Sequence, residues 1–249
     1  MIKSDLFFEI FSVIIANISF LLYSYCMDLV LPVILCFMPL ILCIALFCLL
    51  FQIKLIHQIT AVLLGLGAIL PISLIQFFMP EIPLFSGSSL AFVFLKSFLL
   101  YGLIEEIISF AFLFLLPHKN YSRKNFLFLA FIIGLSLGCF ESLVYFLDHL
   151  QKSNALGGVL LYKPIFTRMF TADLLHTFCA GLLGLFIFEK RNSNPHVSII
   201  VTTVFIHGLY DFFAGFHNFF WIFSIAVILF AAIECRIKYS AFSSSEKQI

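Results

Sequence analysis

Apolar residues run through this chain in stretches of about 20, the length a helix needs to cross a hydrocarbon core about 30 Å thick. Short clusters of turn-forming or charged residues part them: Gln52-Ile53-Lys54, Pro80-Glu81-Ile82-Pro83, Pro117 through Asn125, and Glu189 through Pro195. The pattern predicts an all-α, polytopic bundle of about eight spans, near residues 6–26, 30–51, 57–79, 93–116, 126–147, 167–188, 197–216 and 218–235. The run from Leu6 to Cys26 is too long for the apolar part of a cleavable signal peptide and lacks a small-residue cleavage site, so it is expected to remain as the first span. Pro164 is expected at the first turn of the sixth helix, where its missing N–H costs nothing. The long connection from Asp148 to Phe166 holds Gly157-Gly158 and the apolar run Val159 to Tyr162, and fits either an interfacial flap or an ordinary crossover loop.

Composition narrows the class further. With 63% hydrophobic and only 11% charged residues, the chain cannot be a disordered polar protein, and a net charge of +1 gives no footing for a nucleic-acid partner. The basic residues set an orientation. With the N-terminus inside, the cytoplasmic segments hold Lys3, Lys54, Lys119, Arg123, Lys124, Lys190, Arg191, Arg236, Lys238 and Lys247. The other side holds Lys152, Lys163 and Arg168, with Lys96 near the outer end of span four. Ten against three predicts N- and C-termini both cytoplasmic in the cell membrane, which an even number of spans requires. No repeat or soluble segment stands out, so residues 1–249 read as one membrane domain in a lipid bilayer. The 7 cysteines form no CxxC or other metal spacing and read as small packing residues.

Candidate chemistry lies in the polar residues that interrupt the spans: Glu105, Glu106, Glu141, Asp173, His176, His207 and Asp211. An Asp at the centre of a transmembrane helix costs about 2.5–3.5 kcal/mol on insertion scales, so such groups usually face a protein-lined cavity. Estimated from the helical rise, Glu105, Glu106, Glu141, His176, His207 and Asp211 can converge between the bilayer centre and its outer third, with Asp173 nearest the outer boundary. His207 and Asp211, four apart, share a helix face, which suits two metal ligands or a histidine oriented by a carboxylate. Asp173 and His176, three apart, can also share a face, although Asp173 equally suits a helix start. Adjacent Glu105 and Glu106 diverge by about 100° and cannot both aim at one point without a distorted helix. One is expected to act as a general base while the other supports it. Glu189 and Glu234 read as helix-end charges, and His57, His118, His149, His196 and His217 as solvated.

Two further patterns carry less. Gly134-Leu135-Ser136-Leu137-Gly138 matches the G-x-S-x-G form of serine hydrolases, but it sits inside a continuous apolar helix rather than a strand-to-helix elbow. Its glycines, four apart, read as a close helix contact. Cys179 is a conceivable thiol nucleophile, with packing beside Ala180 and Gly181 the stronger account.

Together the polar motifs resemble the PrsW family of polytopic intramembrane proteases, distant relatives of the CAAX-processing and bacteriocin-immunity proteases. Glu105-Glu106 is similar to the family's first motif, and Gly138-Cys139-Phe140-Glu141 followed by Tyr145 to the second. Leu175-His176-Thr177-Phe178-Cys179-Ala180-Gly181 resembles the third, and His207-Gly208-Leu209-Tyr210-Asp211 the fourth. The resemblance covers roughly residues 100–215, four spans forming the protease core. Two positions depart from it: Ser109 stands where a Lys commonly follows the glutamate pair, and Leu137 stands where a Phe is usual.

The resemblance implies a peptidase that cuts a membrane-anchored protein substrate, similar to an anti-sigma factor, near the extracytoplasmic side. It implies Glu105, Glu106 and Glu141 as catalytic residues and His176, His207 and Asp211 as metal ligands, with Zn²⁺ the expected cofactor and direct activation of water by the same groups still open. A proton-coupled transporter or ion pathway is the alternative class, against which spans one to three offer no matching charges. A catalytically inactive membrane scaffold of the same fold is the other alternative, with Ser109 as its support.

Overall fold

The computed structural model describes residues 29–78, 89–117, 121–152, 159–190, 197–216 and 218–245. The predicted first span, 6–26, and the breaks at 80–83 and Gly157-Gly158 lie outside the described residues. Helix α1 is Leu29–Phe51, α2 Leu55–Phe78 and α3 Leu90–Phe114. Helices α4 (Arg123–Lys152), α5 (Val159–Met169), α6 (Ala172–Glu189), α7 (Ser198–Ala214) and α8 (Ile222–Ser245) follow, with a 3₁₀ turn at Phe219–Trp221 leading into α8. No strand occurs among the described residues. Among the described residues, six stretches are long and apolar enough to cross a membrane: α1, α2, α3, α4, the α5–α6 pair and α8. With the shorter apolar α7, they fall on the predicted spans two to eight.

The helices sort their residues by size rather than by polarity. In α2 the buried residues are Gln58, Ala61, Gly65, Ala68, Ile69 and Ile72, a stripe at helical spacing with its smallest members at its centre. Its exposed positions are Leu63, Leu70, Leu74 and Phe77. Small residues inward and bulky apolar ones outward are what a helix needs when its outer neighbour is hydrocarbon and its inner neighbour is another backbone. Helix α6 differs: from Cys179 to Ile187 every residue is buried, so it has no lipid-facing side over that stretch.

Helix α4 runs antiparallel to α6 and packs closely along it. A Cβ on Gly138 would meet the Asp173 Cα at 2.8 Å, and one on Gly184 the Ala130 Cβ at 2.6 Å. A Cβ on Gly134 would run into the backbone carbonyl of His176. The expected helix contact is therefore present, and Ser136 between its glycines is buried with its hydroxyl donating to the Val62 carbonyl at 3.0 Å. At the far end Arg123 Nε donates to Glu189 Oε1 at 2.6 Å, so Glu189 is one half of a buried ion pair. Glu234 pairs with Lys238 at 3.2 Å on its own helix.

Gly134→Ala should destabilise the protein by about 1–3 kcal/mol, because the new methyl meets rigid backbone that cannot yield. Propensity alone predicts the opposite sign, since Ala is favoured over Gly inside helices by about 1 kcal/mol. Thermal unfolding in detergent separates the two, with Gly215→Ala as control because its Cβ meets only ordinary contacts from 3.5 Å outward. An unchanged or raised transition temperature for Gly134→Ala would contradict the packing argument.

Two expectations need correction. Pro164 is not in a first turn; it lies mid-way along α5. The stretch from Asp148 to Phe166 is not one long loop, because α4 continues to Lys152 and α5 begins at Val159. The apolar run at 159–162 starts a helix of its own. The chain then breaks at Phe170-Thr171 and begins α6 at Ala172. That break sets Arg168, in the last turn of α5, beside Glu141 of α4.

Candidate active site

Helix α3 contains a π-helical segment, Ser97–Leu103, before regular α-helix resumes at Ile104. Wide turns of this kind occur mostly as local insertions, frequently at functional sites. Here the segment faces α7 at a glycine crossing. A Cβ on Gly102 would meet the Gly208 nitrogen at 2.8 Å, and one on Gly208 the Phe98 Cα at 2.9 Å. The two backbones thus approach closely just before Glu105 and Glu106 and just after His207.

Both glutamates then reach the same imidazole. Glu106 Oε1 bonds His207 Nδ1 at 2.5 Å, while Glu105 Oε2 lies 3.4 Å from Nε2. Their divergence of about 100° along the helix is accommodated because the ring stands between them and offers one nitrogen to each. Glu105 Oε1 accepts from Gln76 Nε2 at 2.5 Å, which ties the last turn of α2 to the site. Asp211 Oδ2, one turn beyond His207, lies 3.4 Å from Nε2.

A second histidine is held in the same manner. His176 Nε2 bonds Glu141 Oε2 at 2.8 Å, and Arg168 Nη2 donates to that oxygen at 2.7 Å. The guanidinium also lies 4.0 Å from the centre of the Tyr145 ring and donates through Nε to Ser142 Oγ at 3.1 Å. Ser142 in turn donates to Asp173 Oδ1 at 2.7 Å. Asp173, buried in the first turn of α6, thereby anchors the helix that carries His176. The His176 and His207 rings meet edge to face with centroids 5.0 Å apart.

Of the predicted site residues, Glu105, Glu106, His207 and Asp211 form one set of contacts and Glu141 and His176 another, joined through the two rings. Arg168 and Gln76 were not foreseen as site residues. Their only sequence signals are a cation among apolar neighbours and an amide in the last turn of a span.

The donor set fits a divalent cation. Glu105, His176 and His207 each offer a ligand atom, all within 4.8 Å of one another and all buried. His207 bonds Glu106 through Nδ1, which leaves Nε2 on the side of Glu105, and His176 bonds Glu141 through Nε2. A histidine ligand is typically oriented by a carboxylate in this way, and two imidazoles with one carboxylate are a known catalytic zinc set with an open position. Asp211 falls outside that group, yet its Oδ2 is buried without a hydrogen-bond partner among the described residues, as is Glu106 Oε2. Buried carboxylate oxygens without a hydrogen bond favour a positive charge nearby.

A family model described as PrsW family intramembrane metalloprotease matches residues 55–233. The match extends beyond the four motif-bearing spans to include Gln76 and the first half of α8. No curated protein matches the chain.

Proposed function

The chain belongs to the PrsW family of intramembrane metalloproteases, and from that premise we propose that it cuts a membrane-anchored protein, similar to an anti-sigma factor, near the extracytoplasmic side of the bilayer. It is a peptidase and a multi-pass integral membrane protein. The observation that carries the proposal is the pair of imidazoles 5.0 Å apart, each tethered to its own glutamate inside the bundle.

Peptide hydrolysis needs an activated water and stabilisation of the oxyanion that forms. Glu105, His176 and His207 are the residues suited to hold a divalent cation, with Zn²⁺ the first candidate for this ligand set. Such an ion, when bound, acts as a Lewis acid on water or on the scissile carbonyl. Glu106 keeps His207 in one orientation and tautomer by accepting from Nδ1. Glu141 does the same for His176 and is itself fixed by Arg168, which supplies a cation next to a motif glutamate in a chain with Ser109 in place of the family's usual Lys. Asp211, whose Oδ2 makes no hydrogen bond and pairs with His207 Nε2 at 3.4 Å, is the carboxylate placed to take a proton from water and return it to the leaving amine. The sequence assigns proton transfer to Glu105 or Glu106 and metal ligation to Asp211; both Glu105 and Asp211 lie 3.4 Å from His207 Nε2, but only Glu105 joins the two histidines within 4.8 Å, which favours exchanging the two roles.

The test uses purified protein in liposomes with a single-span substrate. Cleavage should stop on exhaustive chelation and return with Zn²⁺. Cleavage that survives chelation would retain the peptidase and remove the metal from its mechanism.

We further propose eight spans with both termini cytoplasmic, supported by the ten-to-three distribution of Lys and Arg. A protease-sensitive tag inserted at Asn120 should be cut only from the cytoplasmic side of membrane vesicles, and one at Ser153 only from the opposite side. Either tag cut from the wrong side would overturn this topology.

A further inference from the structure

We propose that His207 faces two cation seats, and that the second, formed by Glu106, Cys179 and His207, takes a soft divalent cation such as Zn²⁺ or Cd²⁺. These three residues each offer a ligand atom, all lie within 4.8 Å of one another, and all are buried. They come from α3, α6 and α7, so the seat stands where three helices converge rather than along one helix face. The hydrolytic reading has no use for Cys179, and the thiol is buried away from solvent.

A second observation points to a ligand there. Glu106 spends Oε1 on His207 Nδ1, and apart from the Cys179 thiol that faces this carboxylate, its buried Oε2 has no partner among the described residues. Leaving such an oxygen unpaired is costly in a dry interior. A cation beside Cys179 would satisfy it. Thiolate, imidazole and carboxylate are all zinc ligands, and the thiolate biases the choice toward soft ions over Mg²⁺ or Ca²⁺. Binding displaces the thiol proton to solvent and forms a sulfur–metal bond, so no oxidant or other reactant is needed.

The two seats draw on opposite nitrogens of one ring. An ion on the Nδ1 side displaces the proton that Glu106 accepts, and with it the orientation that the Nε2 side depends on. Excess soft metal should therefore inhibit. This inhibition rests on the hydrolytic reading, whereas the seat itself rests on geometry alone.

Cobalt separates the two claims, because thiolate-bound Co²⁺ absorbs strongly in the near ultraviolet and Co²⁺ held only by nitrogen and oxygen does not. Detergent-solubilised protein titrated with Co²⁺ should develop that band. Cys179→Ser and Cys179→Ala should each lose it completely while retaining the weak visible bands of Co²⁺ bound elsewhere. His176→Gln should keep it. No band in the unaltered protein, a band that survives both Cys179 changes, or one lost with His176→Gln would each overturn the second seat. In the liposome assay, excess Zn²⁺ should inhibit the unaltered protein and spare Cys179→Ser. Equal inhibition of both would overturn the competition between seats, and an unaltered protein that cleaves nothing would count against the hydrolytic reading while the spectrum still judges the seat.

Discussion

His207→Ala should reduce cleavage to background, and adding His176→Ala should lower it no further. His207 is the most connected group in the site, touching Glu106 through Nδ1 and both Glu105 and Asp211 through Nε2. Removing it deprives three carboxylates of their shared partner and eliminates one of the two imidazoles proposed as metal ligands. Residues that act as a unit are strongly non-additive, so losing either histidine should cost about as much as losing both. Glu106→Gln should be milder, in the range of about 10–100-fold in metal affinity or activity that removal of an orienting group typically costs. The measurements are initial cleavage rates in liposomes and Zn²⁺ content of the purified protein. A double variant well below either single one would show that the histidines act separately.

The second large effect separates two carboxylates that contact the same nitrogen. Asp211→Asn should retain bound metal and lose about 10²–10⁴ in kcat, the usual contribution of a positioned general base. Glu105→Gln should lose the metal itself, and its activity should recover partly at high Zn²⁺. Metal analysis beside kinetics reads the difference directly. If Asp211→Asn emerges metal-free and Glu105→Gln keeps its ion, the roles are reversed and Glu105 becomes the proton acceptor.

The fold was legible wherever physics repeats along the chain. Runs of apolar residues mark spans because a bilayer demands them, and the described helices other than α5 fall on predicted spans. The glycines at 134 and 138 were legible for a related reason, since a helix crossing this close leaves no room for a side chain. Helix α5 was not, because Pro164 and the glycines before it signal a loop whatever surrounds them.

At the site, sequence spacing correctly brought His207 beside Asp211. It could not foresee that one ring would accept both Glu105 and Glu106, because that depends on α7 lying across the π-helical segment of α3. Arg168 counted as an exterior charge from its place in the chain. Only the break between α5 and α6 turns it toward Glu141, and a helix break carries no charge pattern of its own.

Helix α6 has a consequence for how the protein is made. It carries Asp173 and His176, and from Cys179 onward it buries its whole circumference, so the lipid that stabilises the other helices does little for this one. Part of its wall is α8, whose Cys235 Sγ would lie 3.2 Å from a Cβ at Gly181. Synthesis delivers α8 after α6. During that interval a newly made α6 has α4 on one side and an unfilled face on the other, and a chain truncated before α8 leaves that face open for good. Biogenesis therefore depends on a helix made after all the motif-bearing ones, and chains truncated before α8 should be substrates for membrane quality control even when every motif residue is intact.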